Sequence, residues 1–75
     1  MKKHIMMITL DSAKWQTAKI AIVAVESDSP WVNTYARDAF DLACARLHIA
    51  REDCVLVDYT LLPDDTLFVN CGDYL

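Results

Sequence analysis

Apolar residues change their spacing once along the chain, and this change predicts the order of the first elements. The segment 18–25 is almost continuously apolar and rich in Ile and Val, which is typical of a central strand. From Trp31 onward the apolar residues recur at helical spacing instead. Between the two, Ser29 can cap a first helical turn, Pro30 suits the first helical position, and Asp28 favours the positive end of the helix dipole. The pattern therefore predicts a strand that leads directly into a helix.

This helix is predicted over residues 30–49, and its apolar side is broad. The predicted inner side consists of Val32, Tyr35, Ala36, Ala39, Phe40, Leu42, Ala43 and Leu47. Their arc spans roughly 160°, which is wider than a coiled-coil seam, so we expect the helix to lie flat on a sheet. No glycine follows to supply a left-handed cap, so the pattern leaves the last helical residue open.

Four strands are predicted around the helix, over residues 4–10, 18–25, 54–61 and 66–71. The turn between the last two contains Pro63, Asp64 and Asp65, with the proline suited to the second turn position. The predicted fold is therefore an α+β domain of order ββαββ with one amphipathic helix on one face of the sheet. The connection through the helix allows the second and third strands to pair in parallel, and an antiparallel arrangement is possible if a longer connection wraps round.

Residues 13–25 have an alternative interpretation. Asp11 or Ser12 could cap a helix there, because apolar residues from Trp15 to Val25 also fall at helical spacing. The density of β-branched residues over 20–25 favours the strand.

Length and composition limit the class of protein. A chain of 75 residues fits one domain, 1–75, whose core rarely supplies more than about 3 to 5 kcal/mol, so a partner or a second copy would add stability. A hydrophobic content of 55% with one glycine argues against a disordered chain. The uncharged run 4–10 is too short for a secretory signal or a membrane span, so we predict a cytoplasmic protein.

Charge is distributed unevenly. The net charge is −4, yet residues 1–25 carry four lysines and one acid, whereas residues 51–75 carry six acids and only Arg51. An acidic surface repels phosphate, which disfavours general nucleic-acid binding, and it is attracted to a basic protein groove. We therefore expect a basic protein partner and no membrane.

Cysteine and histidine offer one candidate for metal or nucleophilic chemistry. Cys44 and His48 lie four residues apart, and Cys54 and Cys71 could complete a zinc tetrahedron. Structural zinc sites usually use closely spaced cysteine pairs, which this sequence lacks, so packed reduced thiols are the favoured interpretation. Cys44 and His48 could also form a nucleophile and base, but no orienting group or oxyanion hole accompanies them. We predict no enzyme activity, no metal and no other cofactor.

Trp15 lies among lysines and resembles a small stacking platform for nucleic acid. The lysines concerned are Lys2, Lys3, Lys14 and Lys19. The acidic net charge opposes phosphate, so a small zinc- or nucleic-acid-binding regulator is kept only as a further alternative.

Strand alternation predicts an apolar surface on the side of the sheet away from the helix. Thr9, Asp58, Thr60 and Asn70 mark the outward phase of their strands. The residues predicted to meet the helix are Met6, Ile8, Leu10, Val55, Val57, Tyr59, Leu67 and Val69. The phase of the second strand stays open, because Lys19 and Glu26 indicate opposite faces.

The predicted interaction surface contains Ile5, Met7, Leu56 and Phe68, rimmed by Asp58, Asp64 and Asp65. One helix covers only one sheet face, so this patch needs a cover from elsewhere. The alternative cover is the loop that carries Trp15 or the segment 73–75.

Together these features predict a non-catalytic protein-binding module. In size, acidity and its strand followed by a capped helix, the chain resembles the small proteins that phages use against host defences, including anti-CRISPR inhibitors. That resemblance implies an acidic surface that blocks a basic, nucleic-acid-handling host complex. The alternative is an accessory or scaffold protein that forms a homodimer through its sheet.

Overall fold

A computed structural model describes residues 2–66 and confirms the α+β class. The elements are β1 (Lys2–Asp11), β2 (Lys19–Ser27), α1 (Val32–Leu47), a 3₁₀ turn (Arg51–Asp53) and β3 (Val55–Leu62). Within 2–66 there are three strands, where four were predicted for the whole chain; the predicted fourth strand, 66–71, lies outside the described residues except for its first residue. None of the helices formed by residues 2–66 is long and apolar enough to cross a membrane.

The sheet is antiparallel and has the order β2-β1-β3. β1 and β2 form a hairpin whose pairs run from Lys2 opposite Ser27 to Leu10 opposite Lys19. This hairpin confirms the strand interpretation of residues 18–25 over the helical one. β2 and β3 lie on opposite sides of β1, so they are not direct neighbours.

The helix begins at Val32, two residues after the predicted start, and Trp31 is its N-cap without a side-chain cap hydrogen bond. Ser29 acts one step earlier: its hydroxyl accepts a hydrogen bond from the Trp31 N–H at 3.2 Å and donates to Thr34 Oγ1 at 3.3 Å. The predicted Ser29 cap is therefore wrong in position, because this side chain stabilises the bend at Pro30 that precedes the helix.

The helix ends at Leu47 through a left-handed residue that is not glycine. His48 has φ 56° and ψ 42°, and its N–H donates to the carbonyl of Ala45. The next amide, that of Ile49, donates to the carbonyl of Cys44 at 3.1 Å. These two bonds satisfy terminal carbonyls that would otherwise lack partners.

One core lies between α1 and the sheet. It consists of Met6, Ile8, Leu10, Ala21, Val23, Val25, Tyr35, Ala36, Ala39, Ala43, Cys44 and Cys54. Four members of the predicted inner side of the helix are therefore confirmed as buried. Val32 and Leu42, which were predicted to face inward, are exposed, and Cys44 is buried instead.

The helix covers only part of the sheet. It packs mainly on β2 and β1 and contacts β3 less. A helix is about 10 Å wide, whereas the outer strands of a three-stranded sheet lie roughly 9 to 10 Å apart between their axes, before their own width is added. One helix therefore cannot cover all three strands, and β3 is the strand left partly open.

Candidate protein-interaction surface

Large apolar side chains are exposed at every second position of β3. Val55, Val57, Tyr59 and Leu61 are 61%, 59%, 41% and 43% exposed, and we call these four residues the exposed row. Val55, Val57 and Tyr59 were predicted to meet the helix. Tyr59 lies opposite Ile8 on the predicted α1 side, but the helix packs mainly on β1 and β2 and leaves it exposed. Val55 pairs with Asp11 beyond the bulge and lies on the other side, so for Val55 the predicted face is wrong. Several large hydrophobic residues exposed together on one strand are typical of an interaction site.

A β-bulge changes the phase of β3. Thr9 lies opposite Asp58, but the next residue, Leu10, lies opposite Leu56, so Val57 is an extra residue on the β3 side. The bulge places Leu56 beside Leu10, where it packs against the core. The prediction that Leu56 belongs to the surface away from the helix is therefore wrong, because strict alternation does not hold across a bulge.

The sheet face away from α1 is apolar near its centre but less open than predicted. Ile5 and Met7 lie in the predicted outward phase of β1, yet Ile5 is only 2% exposed and Met7 is half-buried. β1 is the central strand, so strands flank both residues, and Ile5 lies between Ala24 and Leu62. This burial removes Ile5 as a docking residue.

The structure also shows which residues of β2 face the helix, a point that the sequence left undecided. Ala21, Val23 and Val25 are buried in the core, which leaves Ile20 and Ile22 on the opposite face. The loop that carries Trp15 does not cover that face, because Trp15 packs against the core on the helix side. Phe68 and the segment 73–75 lie outside the described residues.

β3 has one strand neighbour among residues 2–66, so its second edge has no strand beside it there. The N–H of Tyr59 donates to the carboxylate of Asp58 at 2.8 Å in an exposed hydrogen bond, and an amide bonded in this way fits one directed to the open edge of β3. In an antiparallel strand alternate residues direct both backbone groups to the same edge. Leu61 therefore directs its N–H and C=O to the free edge, and Thr60 directs its own toward β1.

Acidic side chains surround this edge. Residues 52–66 contain five acids and no basic residue: Glu52, Asp53, Asp58, Asp64 and Asp65. Asp58, Asp64 and Asp65, the predicted rim, are all exposed. A turn that holds the last two is confirmed, because the Thr66 N–H donates to the Pro63 carbonyl at 3.0 Å. The predicted second position of the proline is wrong, since this bond makes Pro63 the first residue of the turn.

Two basic residues near this region are already paired. Lys14 Nζ lies 3.1 Å from the Asp53 carboxylate, and Arg51 Nε lies 2.9 Å from that of Asp41. The remaining charges within residues 52–66 are therefore acidic, while Lys2 and Lys3 begin the neighbouring strand β1.

An open depression of about 370 Å³ lies at the beginning of β3. It is lined by Asp11, Ser12, Ala13, Trp15, Gln16, Ala18, Val55 and Val57. The depression thus joins two members of the exposed row to the loop between β1 and β2.

The two described cysteines are free, buried and close together, as predicted for packed thiols. Burial is the main cause that raises the pKa of the Cys44 thiol to about 11; the neighbouring Cys54 and the Asp41 carboxylate act in the same direction, and Arg51 opposes them. A thiol with this pKa is protonated at neutral pH, so it is a poor nucleophile and a poor metal ligand. His48 is exposed. Residues 2–66 contain no group of three or more side chains able to hold a metal ion, and Cys71 lies beyond them.

Trp15 and two of the lysines predicted to flank it already contact other residues of the chain. Lys19 Nζ lies 5.4 Å from the centre of the Trp15 ring, in cation–π range. Lys14 is paired with Asp53. Because Trp15 also packs against the core, its ring is only partly accessible for stacking on a base.

No protein family model matches this chain, and neither a curated protein nor a solved structure was found that matches it.

Proposed function

We propose that this chain is a non-catalytic protein-binding module and that the region around β3 docks on a basic protein. The observation that carries the proposal is that the exposed row lies within a segment, 52–66, that contains five acidic residues and no basic one. Apolar side chains at the centre of an interface supply affinity, and charges at its rim steer the approach of the partner.

The proposed consequence of binding is inhibition. A basic groove on a nucleic-acid-handling protein attracts phosphate, and an acidic surface of suitable shape competes for the same groove. This mechanism is the one implied by the resemblance to phage proteins that act against host defences. We place the action in the cytoplasm, because Cys44 and Cys54 are free thiols and a reducing compartment keeps thiols free.

The proposal is tested by affinity capture with charge variants. The chain of residues 1–75 is immobilised, and partners from a cell lysate are identified by mass spectrometry. A captured basic protein should bind less when the salt concentration rises, and bound nucleic acid should compete with the chain.

A matched pair of variants decides whether the β3 region is responsible. Asp64→Lys combined with Asp65→Lys should lower the affinity at least tenfold. Glu26→Lys combined with Asp38→Lys makes the same change of charge away from β3 and should lower it much less. Equal losses in both double variants would mean that net charge alone attracts the partner, and the proposed docking region would be wrong.

The second candidate is a homodimer, which the free edge of β3 favours because such edges can pair with a second copy. Size-exclusion chromatography with light scattering separates the candidates. We expect a monomer at micromolar concentration, and a tight dimer whose Leu61 amide is protected from exchange would favour the scaffold function instead.

A further inference from the structure

We propose that the free edge of β3 receives a basic, extended segment of the partner as an added strand. The inference rests on the proposed function and names the binding mode and the chemistry of the partner segment. Strand addition uses backbone hydrogen bonds for affinity and alternate side chains for specificity.

The backbone geometry supports this mode. The amides of Tyr59 and Leu61 are directed away from β1, and no strand of residues 2–66 lies beside them. β2 also has an outer edge, but its ends carry Lys19 and Glu26, and Ile20 is its only large apolar residue that is strongly exposed. Among residues 2–66, β3 therefore combines an edge that has no strand neighbour with several exposed apolar side chains and one charged residue, Asp58.

Asp58 explains how the free edge is protected before a partner binds. Its carboxylate accepts the hydrogen bond of the Tyr59 amide and places a negative charge at the middle of the strand. Charged residues on edge strands oppose pairing with other copies. A lysine or arginine of the partner can take over this carboxylate, and the Tyr59 amide is then released to a partner carbonyl.

The side-chain pattern of the partner follows from the register of β3. Tyr59 and Leu61 lie opposite Ile8 and Met6, on the α1 side of the sheet, whereas Asp58 belongs to the other side. Residues of an added strand alternate between the same two sides. The expected segment therefore alternates apolar residues beside Tyr59 and Leu61 with basic residues beside Asp58.

The first experiment uses synthetic peptides and the chain of residues 1–75. An eight-residue peptide of alternating lysine and valine is compared with one of alternating glutamate and valine. The basic peptide should bind at least tenfold more tightly, and its binding should slow hydrogen exchange at the Leu61 amide at least tenfold. A basic peptide that binds without slowing this exchange would show that the edge is not used.

The second experiment separates backbone from side-chain contacts at one position. Leu61→Pro removes the N–H at the free edge, and proline is tolerated on the open side of an edge strand. Leu61→Ala removes the side chain and keeps the N–H. We expect the proline variant to lose at least tenfold in affinity for the basic peptide and the alanine variant to lose less than threefold. Unchanged hydrogen exchange in the β1–β2 hairpin confirms that both variants are folded.

Three results would overturn the inference. Equal losses for Leu61→Pro and Leu61→Ala would indicate docking on the exposed row by side chains. A Leu61 amide that is protected in the free monomer would mean that residues 67–75 of the same chain hold the edge. Protection that grows with protein concentration would mean that a second copy holds it.

Failure of strand addition can be distinguished from failure of the proposed function. Suppose that the basic peptide does not bind, but a basic protein is still captured and the double variant Asp64→Lys with Asp65→Lys abolishes that capture. Strand addition is then wrong, while the proposed docking region is supported. If that charge reversal has no specific effect, the proposed function itself is wrong.

Discussion

His48 ends α1 in a conformation that suits glycine. A residue with a Cβ atom pays roughly 1 to 2 kcal/mol for the left-handed region, and this exposed histidine adopts φ 56°. The sequence did not indicate this cap, because glycine or asparagine is the usual signal. The tertiary structure imposes it, since the chain must turn after Leu47 to reach β3.

Replacing this residue tests the cost of the cap. His48→Gly should raise the free energy of unfolding by about 0.5 to 1 kcal/mol, because the gain at positive φ exceeds the added freedom of the unfolded chain. Urea denaturation measures the change. His48→Ala keeps a Cβ atom and should not raise the free energy of unfolding. A similar increase in both variants would show that the imidazole ring, and not the positive φ, destabilises the cap.

Cys44 makes stability depend on pH in the alkaline range. Its pKa is raised from an ordinary value of 9.0 to about 11 in the folded chain, so the folded state favours the protonated thiol. This contribution is fully present below pH 9 and is lost as the pH rises through 11. Ionisation of Cys44 should therefore lower the free energy of unfolding by about 2 kcal/mol between pH 9 and pH 11.

Urea denaturation at a series of pH values measures this dependence. The Cys44→Ala variant lacks the thiol, so its stability should fall less steeply above pH 9, although it is less stable at neutral pH. Parallel pH profiles of the two proteins would contradict the assignment to Cys44.

Tyr35 shows why single residues could not be placed from the sequence alone. Its ring stacks on His4 of β1, with ring centres 3.7 Å apart, and its hydroxyl donates to the Ser29 carbonyl. His4 Nε2 also lies 3.2 Å from the carbonyl of Ser27. These contacts join β1, the end of β2 and the beginning of α1, and they depend on residues that are far apart in sequence.

At the scale of elements, the sequence predicts most of the described secondary structure. The β-branched run 20–25 indicated β2, and the helical spacing after Trp31 indicated α1. β3 was also located correctly, and Asp58 and Thr60 marked one of its phases as outward, but alternation could not show that the helix would leave the other phase exposed. The bulge at Val57 then reversed the phase of Leu56, and a one-residue insertion leaves no sequence signal here.

Two alanines of α1 provide a test of the helix orientation. Ala39 is fully buried against the sheet, whereas Ala45 is exposed on the same helix. Ala39→Asp should unfold the chain, because it places an unpaired charge in the core and costs at least 3 kcal/mol. Ala45→Asp has a similar helix propensity cost and should lower stability by less than about 1 kcal/mol.

Circular dichroism and urea denaturation compare the two variants. A stable Ala39→Asp protein would show that a different side of α1 faces the sheet.

At the scale of the whole molecule, the one helix and three strands formed by residues 2–66 give a small core and a thin margin of stability. The core depends on fully buried side chains of β1, the strand that has neighbours on both sides. The sequence predicted a small core from chain length. It could not predict which strand would be left open, because that depends on strand order.

Met6 and Met7 measure how one-sided the core is. Met6 is fully buried beneath α1, and Met7 is half-buried on the other face. Met6→Ala should cost about 2 to 4 kcal/mol, most of the stability expected for such a core, and Met7→Ala should cost clearly less. Thermal and urea denaturation give both values. Equal costs would indicate that the second face is as tightly packed as the first.

The position of β1 at the centre of the sheet has a consequence for synthesis on the ribosome. β1 is translated before β2 and can form a hairpin with it early, but its second neighbour, β3, emerges only after α1 has been made. During this interval the nascent hairpin offers the side of β1 that β3 will later occupy, where misassembly with other chains can begin. Slow translation between β2 and β3 should therefore lower the yield of correctly folded protein, and chaperones that bind nascent chains should restore it.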